Sequence, residues 1–400
     1  QGWGGSGGAW SSACGGDVWP LLRSWRMPLD VISRFLFPTP LASYGPDSFP
    51  EELIFVPKLL EQREGCPPEQ CVPCLFLKRP GARFLIYYLH SNGEDLGKCY
   101  SFCQIIREQF QVHVLACEYP GYGMCPGGPA TADSVTENAF AVFRFVREVM
   151  RWPTENIKIF GRSIGTGPAI SLAVQYRVAG LILVAPFLSI KEILQDAIGV
   201  FSRLVEERFP SKDRMHLVRS PTLIIHGQQD VLIPCKHGAA LYELCRSRKL
   251  LVCPGGMEHN SNLLADPTYL VVPMLQFFKL PDCCKEEIVV PSWAFQKRGF
   301  QADDFRLGGC GEMPLLQLAG RLATCSRPMK EECSGRAESE KSRGVGEAKA
   351  DSIQRAPAHQ ELQGEKGESG RQYSEFFARQ RCPARAEAAA DSEPGPKSGW

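Results

Sequence analysis

Short, mostly apolar runs alternate with longer stretches in which apolar residues return every three to four positions, and this alternation holds from about residue 52 to residue 278. The short runs, 52–57, 72–78, 84–89, 112–117, 157–160, 180–184 and the starts of 223–230 and 250–260, predict strands. The run 84–89 has no polar face, which marks an interior strand. The periodic stretches predict helices over 99–110, 132–150, 166–176, 235–245 and 269–278, with a mostly helical insertion from 190 to 218. In the second of these, Val135, Ala139, Val142, Phe143, Val146 and Val149 share one side. Strands alternating with helices at this spacing predict an α/β protein with a doubly wound, mostly parallel sheet and a short helical insertion after the strand at 180–184.

The ends of the chain break this pattern. Residues 1–26 begin on glutamine and are rich in Gly, Ser and Trp, and read as a disordered or non-native upstream segment, with Met27 a candidate start. Residues 27–40 form an apolar N-terminal segment, L-D-V-I-S-R-F-L-F stopped by Pro38 and Pro40, far short of the roughly 20 residues that span a bilayer. Two readings stay open for it: packing on the flank of the domain, or shallow insertion into a membrane surface. The globular domain covers 41–280. A docked extension follows over 281–298, with a short strand expected at 287–290 and aromatic anchors at Trp293 and Phe295. Residues 299–400 are rich in glycine, alanine and charge, and read as a largely disordered tail.

Composition narrows the classes. With 45 basic and 44 acidic side chains the net charge is +1, so no nucleic-acid partner is expected. The 17 cysteines are scattered and no secretory segment precedes them, which favours a reducing, intracellular compartment and mostly free thiols. Cys66, Cys71 and Cys74 cluster, but no fourth ligand stands near them, so neither a metal nor any other cofactor is assigned.

The candidate chemistry centres on I-K-I-F-G-R-S-I-G-T-G, residues 157–167. An apolar strand runs into G-x-S-x-G and then a helix, the setting in which a serine is lifted clear of a sheet on a sharp, strained turn. Gly161 and Gly165 flank Ser163 because strand and helix must approach closely there. Two later strands run into glycine-containing loops bearing one candidate each, Asp230 in H-G-Q-Q-D and His259 in P-G-G-M-E-H-N. Serine, acid and histidine thus come in the chain order of α/β-hydrolases, and the C-terminal ends of parallel strands share one edge where such residues meet. His259 would take the serine proton, and Asp230 would orient the imidazole. The oxyanion donors would be the backbone N–H groups of Ile164 and Asn92. His90 and His226 are expected to make structural hydrogen bonds instead, and Glu258 to be either a solvated carboxylate or an influence on His259.

The domain resembles the serine alpha/beta-hydrolases, and more closely the group called alpha/beta hydrolase domain-containing protein 17. The resemblance is carried by S-R-F-L-F-P near the start, C-L-F-L-K, H-S-N-G-E-D-L-G, Y-P-G-Y-G, G-R-S-I-G-T-G-P, H-G-Q-Q-D and the E-H-N loop. It implies Ser163, Asp230 and His259 as the triad, and removal of palmitate from protein cysteines at membranes. Three positions depart from the group: Ser91 replaces a glycine, Arg162 replaces a glutamine beside the nucleophile, and Cys14 is the only cysteine ahead of Cys66 where members carry an anchoring cluster. At Ser91 two expectations stand: strain, if the position needs positive φ, or a hydroxyl that assists the oxyanion hole. The substrate pocket is assigned to Ser91, Phe187, Leu194, Phe201 and Met257. The implied partners are an acylated protein or lipid-ester substrate and a membrane surface, at its cytosolic face or in the cytoplasm, with the oligomeric state open. A monoacylglycerol or small-ester hydrolase is the nearest alternative, and a non-catalytic interaction protein the more distant one.

Overall fold

Eight strands form a single sheet in the order β1-β2-β4-β3-β5-β6-β7-β8. They are β1 (Leu53–Pro57), β2 (Cys71–Leu77), β3 (Leu85–Leu89), β4 (His113–Cys117), β5 (Ile157–Arg162), β6 (Gly180–Val184), β7 (Thr222–Ile225) and β8 (Lys249–Val252). β2 runs antiparallel to both β1 and β4, and the pairs from β4 through β3 to β8 are all parallel. The computed structural model describes residues 37–297, apart from 63–65, 200, 201, 203 and 204. The expectations placed on 1–36, on 298–400 and on Phe201 lie outside the described residues.

The strands from β1 to β4, and β6 and β7, are buried on both faces, as a sheet covered by helices on each side requires, while the edge strand β8 is half-buried. On one face of β3, Tyr87 donates to the Cys117 thiol at 3.0 Å and the Ala139 carbonyl at 3.1 Å. On the other, Tyr88 meets the rings of Phe102 and Phe160. The crossovers are helices α1 (Leu96–Phe110), α2 (Ala132–Arg144), α3 (Thr166–Gln175), α4 (Ile190–Ile198), the short α5 (Ser211–Arg214) and α6 (Lys236–Leu244), with α7 (Val271–Phe278) after β8. Side-chain caps start three of them. Asp95 caps α1, Thr131 caps α2 in a reciprocal box with Ser134, and Ser189 caps α4.

Two expectations are corrected. The helix read over 132–150 is regular only to Arg144; beyond it the turn widens, and the Met150 N–H reaches back to the Phe145 carbonyl at 3.0 Å. That extra residue per turn leaves both Phe145 and Val146 buried. Residues 287–290 form no strand. Residues 281–284 pair through their backbone with 81–83, the Arg83 N–H bonding the Asp282 carbonyl at 3.2 Å, whereas 287–290 are held by the Lys78–Glu287 ion pair at 3.0 Å and the buried Ile288. The aromatic anchor does dock: Trp293 lies edge-on to Phe145 with ring centres 5.8 Å apart.

Candidate active site

Ser163 directly follows β5 and begins a single tight turn that leads into α3. Its φ is +51°, a left-handed conformation that costs a non-glycine residue energy and is characteristic of strained functional positions. The flanking glycines have a steric cause. A Cβ on Gly161 would lie 2.5 Å from the Gly165 carbonyl oxygen, and one on Gly165 would lie 2.2 Å from the Leu89 carbonyl oxygen. Any side chain there would drive β5 and α3 away from the end of β3.

The parallel sheet brings the three predicted residues together. Ser163 Oγ lies 3.0 Å from His259 Nε2, and His259 Nδ1 lies 2.7 Å from Asp230 Oδ2. Ser163 and Asp230 are buried, while the His259 side chain retains slight exposure. The other oxygen of Asp230 accepts from the Leu232 and Ile233 N–H groups at 3.0 and 2.8 Å. His226 stands 3.5 Å from Asp230 Oδ2 and donates from Nε2 to the Ile233 carbonyl at 2.7 Å. Burial alone would raise the Asp230 carboxyl, but hydrogen bonds from His226 and His259, the attraction of His259 and the Ile233 N–H together hold it well below the usual carboxylate range. The acid is therefore an anion at neutral pH, oriented from both sides. The loop of His259 is itself tied down, because Arg162 donates to the Ser261 carbonyl at 3.1 Å. Glu258 is exposed, and its N–H bonds the Ser261 hydroxyl at 2.8 Å.

The loop after β3 is gripped from beneath. Glu118, fully buried, accepts from His90 Nε2 at 3.1 Å, Tyr44 Oη at 3.0 Å, and the N–H groups of Leu96 and Tyr119 at 3.0 and 3.3 Å. All four partners donate to this one carboxylate. His90 Nδ1 lies 3.1 Å from the Ser91 carbonyl oxygen, which can only accept. An acceptor at each ring nitrogen favours the protonated imidazole of His90. Burial works against that charge, but the bond to Glu118 and its negative charge outweigh it and raise the His90 pKa. The Tyr119 ring stacks on His90 at 4.0 Å, its hydroxyl donates to the His90 carbonyl at 2.7 Å, and Tyr122 donates to Asn92 Oδ1 at 2.5 Å.

The remaining predicted residues are placed as follows. Ile164 follows Ser163 within the tight turn, and Asn92 sits in the gripped loop. Ser91 is not among the described residues with positive φ, so the strain contemplated there does not arise; its N–H donates to Glu94 at 3.3 Å. Phe187 is buried edge-to-face against Phe209, and Leu194 belongs to the same hydrophobic core. Met257 is also buried, with its carbonyl accepting from the Gln229 N–H at 3.1 Å. Sequence reasoning missed Glu118, Tyr44 and Tyr122. The available signal was E-Y-P-G-Y-G directly after a strand, at the same sheet end as the catalytic candidates.

Several known proteins are similar to this chain in sequence or in fold. A family model described as serine aminopeptidase, S33, matches residues 81–213, which include Ser163. Alpha/beta hydrolase domain-containing protein 17C of Xenopus tropicalis is 33% identical over 192 residues, covering 48% of this chain and 61% of that protein. Human alpha/beta hydrolase domain-containing protein 17B is 31% identical over 191 residues, covering 47% and 65%. The Caenorhabditis elegans alpha/beta hydrolase domain-containing protein aho-3 is 27% identical over 247 residues, covering 58% and 74%. This chain thus spans about three-fifths of the length of the first of these relatives. The esterase Pf2001 of Pyrococcus furiosus overlays with a TM-score of 0.46 at 15% identity, covering 61% of this chain and 98% of that one. With β2 antiparallel at one side, a parallel run from β4 to β8 and a serine on the turn after β5, the chain carries an alpha/beta-hydrolase domain, similar in sequence to the group named alpha/beta hydrolase domain-containing protein 17.

Proposed function

We propose that this protein is a serine hydrolase that removes long-chain acyl groups, palmitate in particular, from protein cysteines through an acyl-enzyme on Ser163. The observation that carries the chemistry is the unbroken hydrogen-bond chain Ser163–His259–Asp230 with the serine on a strained turn. In this reading His259 takes the Ser163 proton as the hydroxyl attacks the thioester carbonyl. It returns that proton to the leaving thiol, and then activates a water that hydrolyses the acyl-serine. Asp230, already an anion held by backbone N–H groups, keeps the imidazole in the Nδ1–H tautomer and stabilises the imidazolium.

The oxyanion would be met by the N–H groups of Ile164 and Asn92. The geometry behind Asn92 supports this assignment. In a trans peptide the C=O and N–H point in opposite directions. The Ser91 carbonyl is held toward His90 Nδ1, so the Asn92 N–H of the same peptide unit faces away from that buried ring. His90 and Glu118 are then positioning residues for an oxyanion donor, and their net-neutral ion pair keeps the loop from turning over.

The choice of a protein thioester over a glycerol ester rests on the sequence resemblance. An apolar wall contributed by the insertion would suit an acyl chain, since each buried CH₂ contributes about 0.8 kcal/mol. The same reading puts the work at the cytosolic face of a membrane or in the cytoplasm. Among the described residues no helix is long and apolar enough to cross a membrane. Phe37, at the described end of the apolar N-terminal segment, is buried edge-on against Phe209.

Fluorophosphonate labelling of the purified full chain tests the chemistry. The wild type should be labelled at one serine and S163A not at all, while H259A should slow acyl transfer by roughly 10⁴-fold. Full labelling of S163A would move the nucleophile elsewhere. Turnover of an S-palmitoyl peptide beside a monoacylglycerol tests the substrate. Efficient monoacylglycerol hydrolysis with the peptide untouched would replace the thioesterase by a lipase.

A further inference from the structure

Two sulfur atoms sit between the loop of the acid and the loop of the base, outside the triad. Cys235 precedes α6, five positions past Asp230, and Cys253 directly follows β8 on the way to His259. Their Sγ atoms are 3.5 Å apart, and both residues are partly exposed. Other close thiol pairs, such as Cys66 and Cys71 at 3.4 Å, are buried at both ends. The backbone around the exposed pair is already laced together. The His226 N–H bonds the Val252 carbonyl at 2.9 Å, the Gln228 side chain bonds the Cys253 carbonyl at 2.8 Å, and the Gln228 N–H bonds the Pro254 carbonyl at 3.0 Å.

We propose that Cys235 and Cys253 are a reversible redox pair, oxidised by a hydroperoxide to a disulfide that staples the Asp230 loop to the segment leading into His259. A disulfide needs its sulfurs about 2.05 Å apart, so closure asks for about 1.5 Å of approach, within reach of side-chain rotation. The order of events follows from the surroundings. Burial first, and then the neighbouring Cys235 sulfur, push the Cys253 thiol up to about 12, which disfavours its thiolate, and the attack is therefore given to Cys235. The Cys235 thiolate takes one oxygen from the hydroperoxide, giving a sulfenic acid and releasing an alcohol, or water from hydrogen peroxide. The Cys253 sulfur then displaces that oxygen as water, forming the S–S bond. Two thiols are oxidised, one peroxide is reduced, and any external thiol reverses the step by exchange. This pair is independent of the hydrolase reading, because its chemistry needs neither Ser163 nor a bound acyl group.

The sequence makes the test clean despite 17 cysteines. Trypsin releases Cys235 in peptide 220–236 and Cys253 in peptide 250–279, and neither peptide holds another cysteine. Reduced full chain treated with hydrogen peroxide and digested without reductant should yield these two peptides as one cross-linked species that dithiothreitol separates. The oxidised wild type should melt several degrees above the reduced form, a difference absent in both C235S and C253S. In C253S, dimedone should trap a sulfenic acid on Cys235, and in C235S it should leave Cys253 unmodified. Absence of the 220–236/250–279 species in oxidised wild type overturns the pair, whatever the variants do. Dimedone on Cys253 but not on Cys235 overturns the assigned order of attack.

Discussion

Lys158 is a basic side chain buried in the second position of β5, at the end of the strand away from Ser163. Its ammonium lies 3.2 Å from the centre of the Phe84 ring and 5.2 Å from that of Phe278. Burial, reinforced by the positive charges of Arg83 and Arg248 and opposed only by Asp282, brings its pKa from 10.5 down to about 7. At 1.36 kcal/mol per pH unit, that gap corresponds to a penalty of roughly 5 kcal/mol on the charged form in the fold. The contact with Phe84 returns about 2 kcal/mol at most, so burial wins. Below pH 7 both folded and unfolded chains hold the proton, and the fold carries the whole penalty. Between about pH 7 and 10.5 the unfolded chain binds more protons than the folded one, so stability rises with pH. K158M removes the ionisable group and keeps an apolar stem of similar length. Urea unfolding of both proteins between about pH 6 and 9 should show the variant more stable at the acid end. The wild type should then gain on it by about 1.4 kcal/mol per pH unit above pH 7. Parallel stability curves across that range would refute the reasoning, since they would mean that Lys158 keeps its proton in the fold.

Four further outcomes follow from the site. E118Q removes the anion that holds His90 charged, so kcat on a chromogenic ester should fall roughly 10-fold or more with KM nearly unchanged, as for a lost oxyanion donor; an equal rise in KM would make Glu118 a binding residue instead. G165A puts a methyl group against the Leu89 carbonyl, and thermal unfolding should register a loss of about 1–3 kcal/mol together with loss of fluorophosphonate labelling. S91G relieves no strain, because Ser91 is not at positive φ, so denaturant titration should find the variant less stable by up to about 1 kcal/mol. D230N should leave the fold intact but lower kcat roughly 10⁴-fold through the wrong histidine tautomer, and a pH–rate profile that shifts without such a fall would contradict the orienting role.

The Ser163, Asp230 and His259 candidates and the alternation of strands with helices were legible in the chain because each depends on local signals of fixed spacing. Apolar runs of strand length mark the sheet, and G-x-S-x-G after a strand fixes where a serine can stand on a strained turn. In a parallel sheet every such turn lies at the same edge, so Asp230 and His259 could be paired with Ser163 across a wide sequence separation without seeing coordinates. What surrounds them was not legible. Glu118, Tyr44 and His90 meet through the pairing of β3 with β4 and the return of an N-terminal loop, contacts with no period of their own. Nor does a sequence tell which apolar residues of an insertion face a substrate and which, like Phe187, fill the core, because both carry the same hydrophobic signal. The segment 287–290 looked like a strand for a related reason. Its β-branched residues suit a sheet, but a strand needs a free edge in register, and tertiary packing offered this segment one ion pair, Lys78–Glu287, and a buried Ile288 instead. Likewise Cys235 and Cys253 were two scattered cysteines until the β7–β8 pairing set their sulfurs side by side. Local chemistry is written along the chain, whereas the company each side chain keeps is decided by which strands become neighbours.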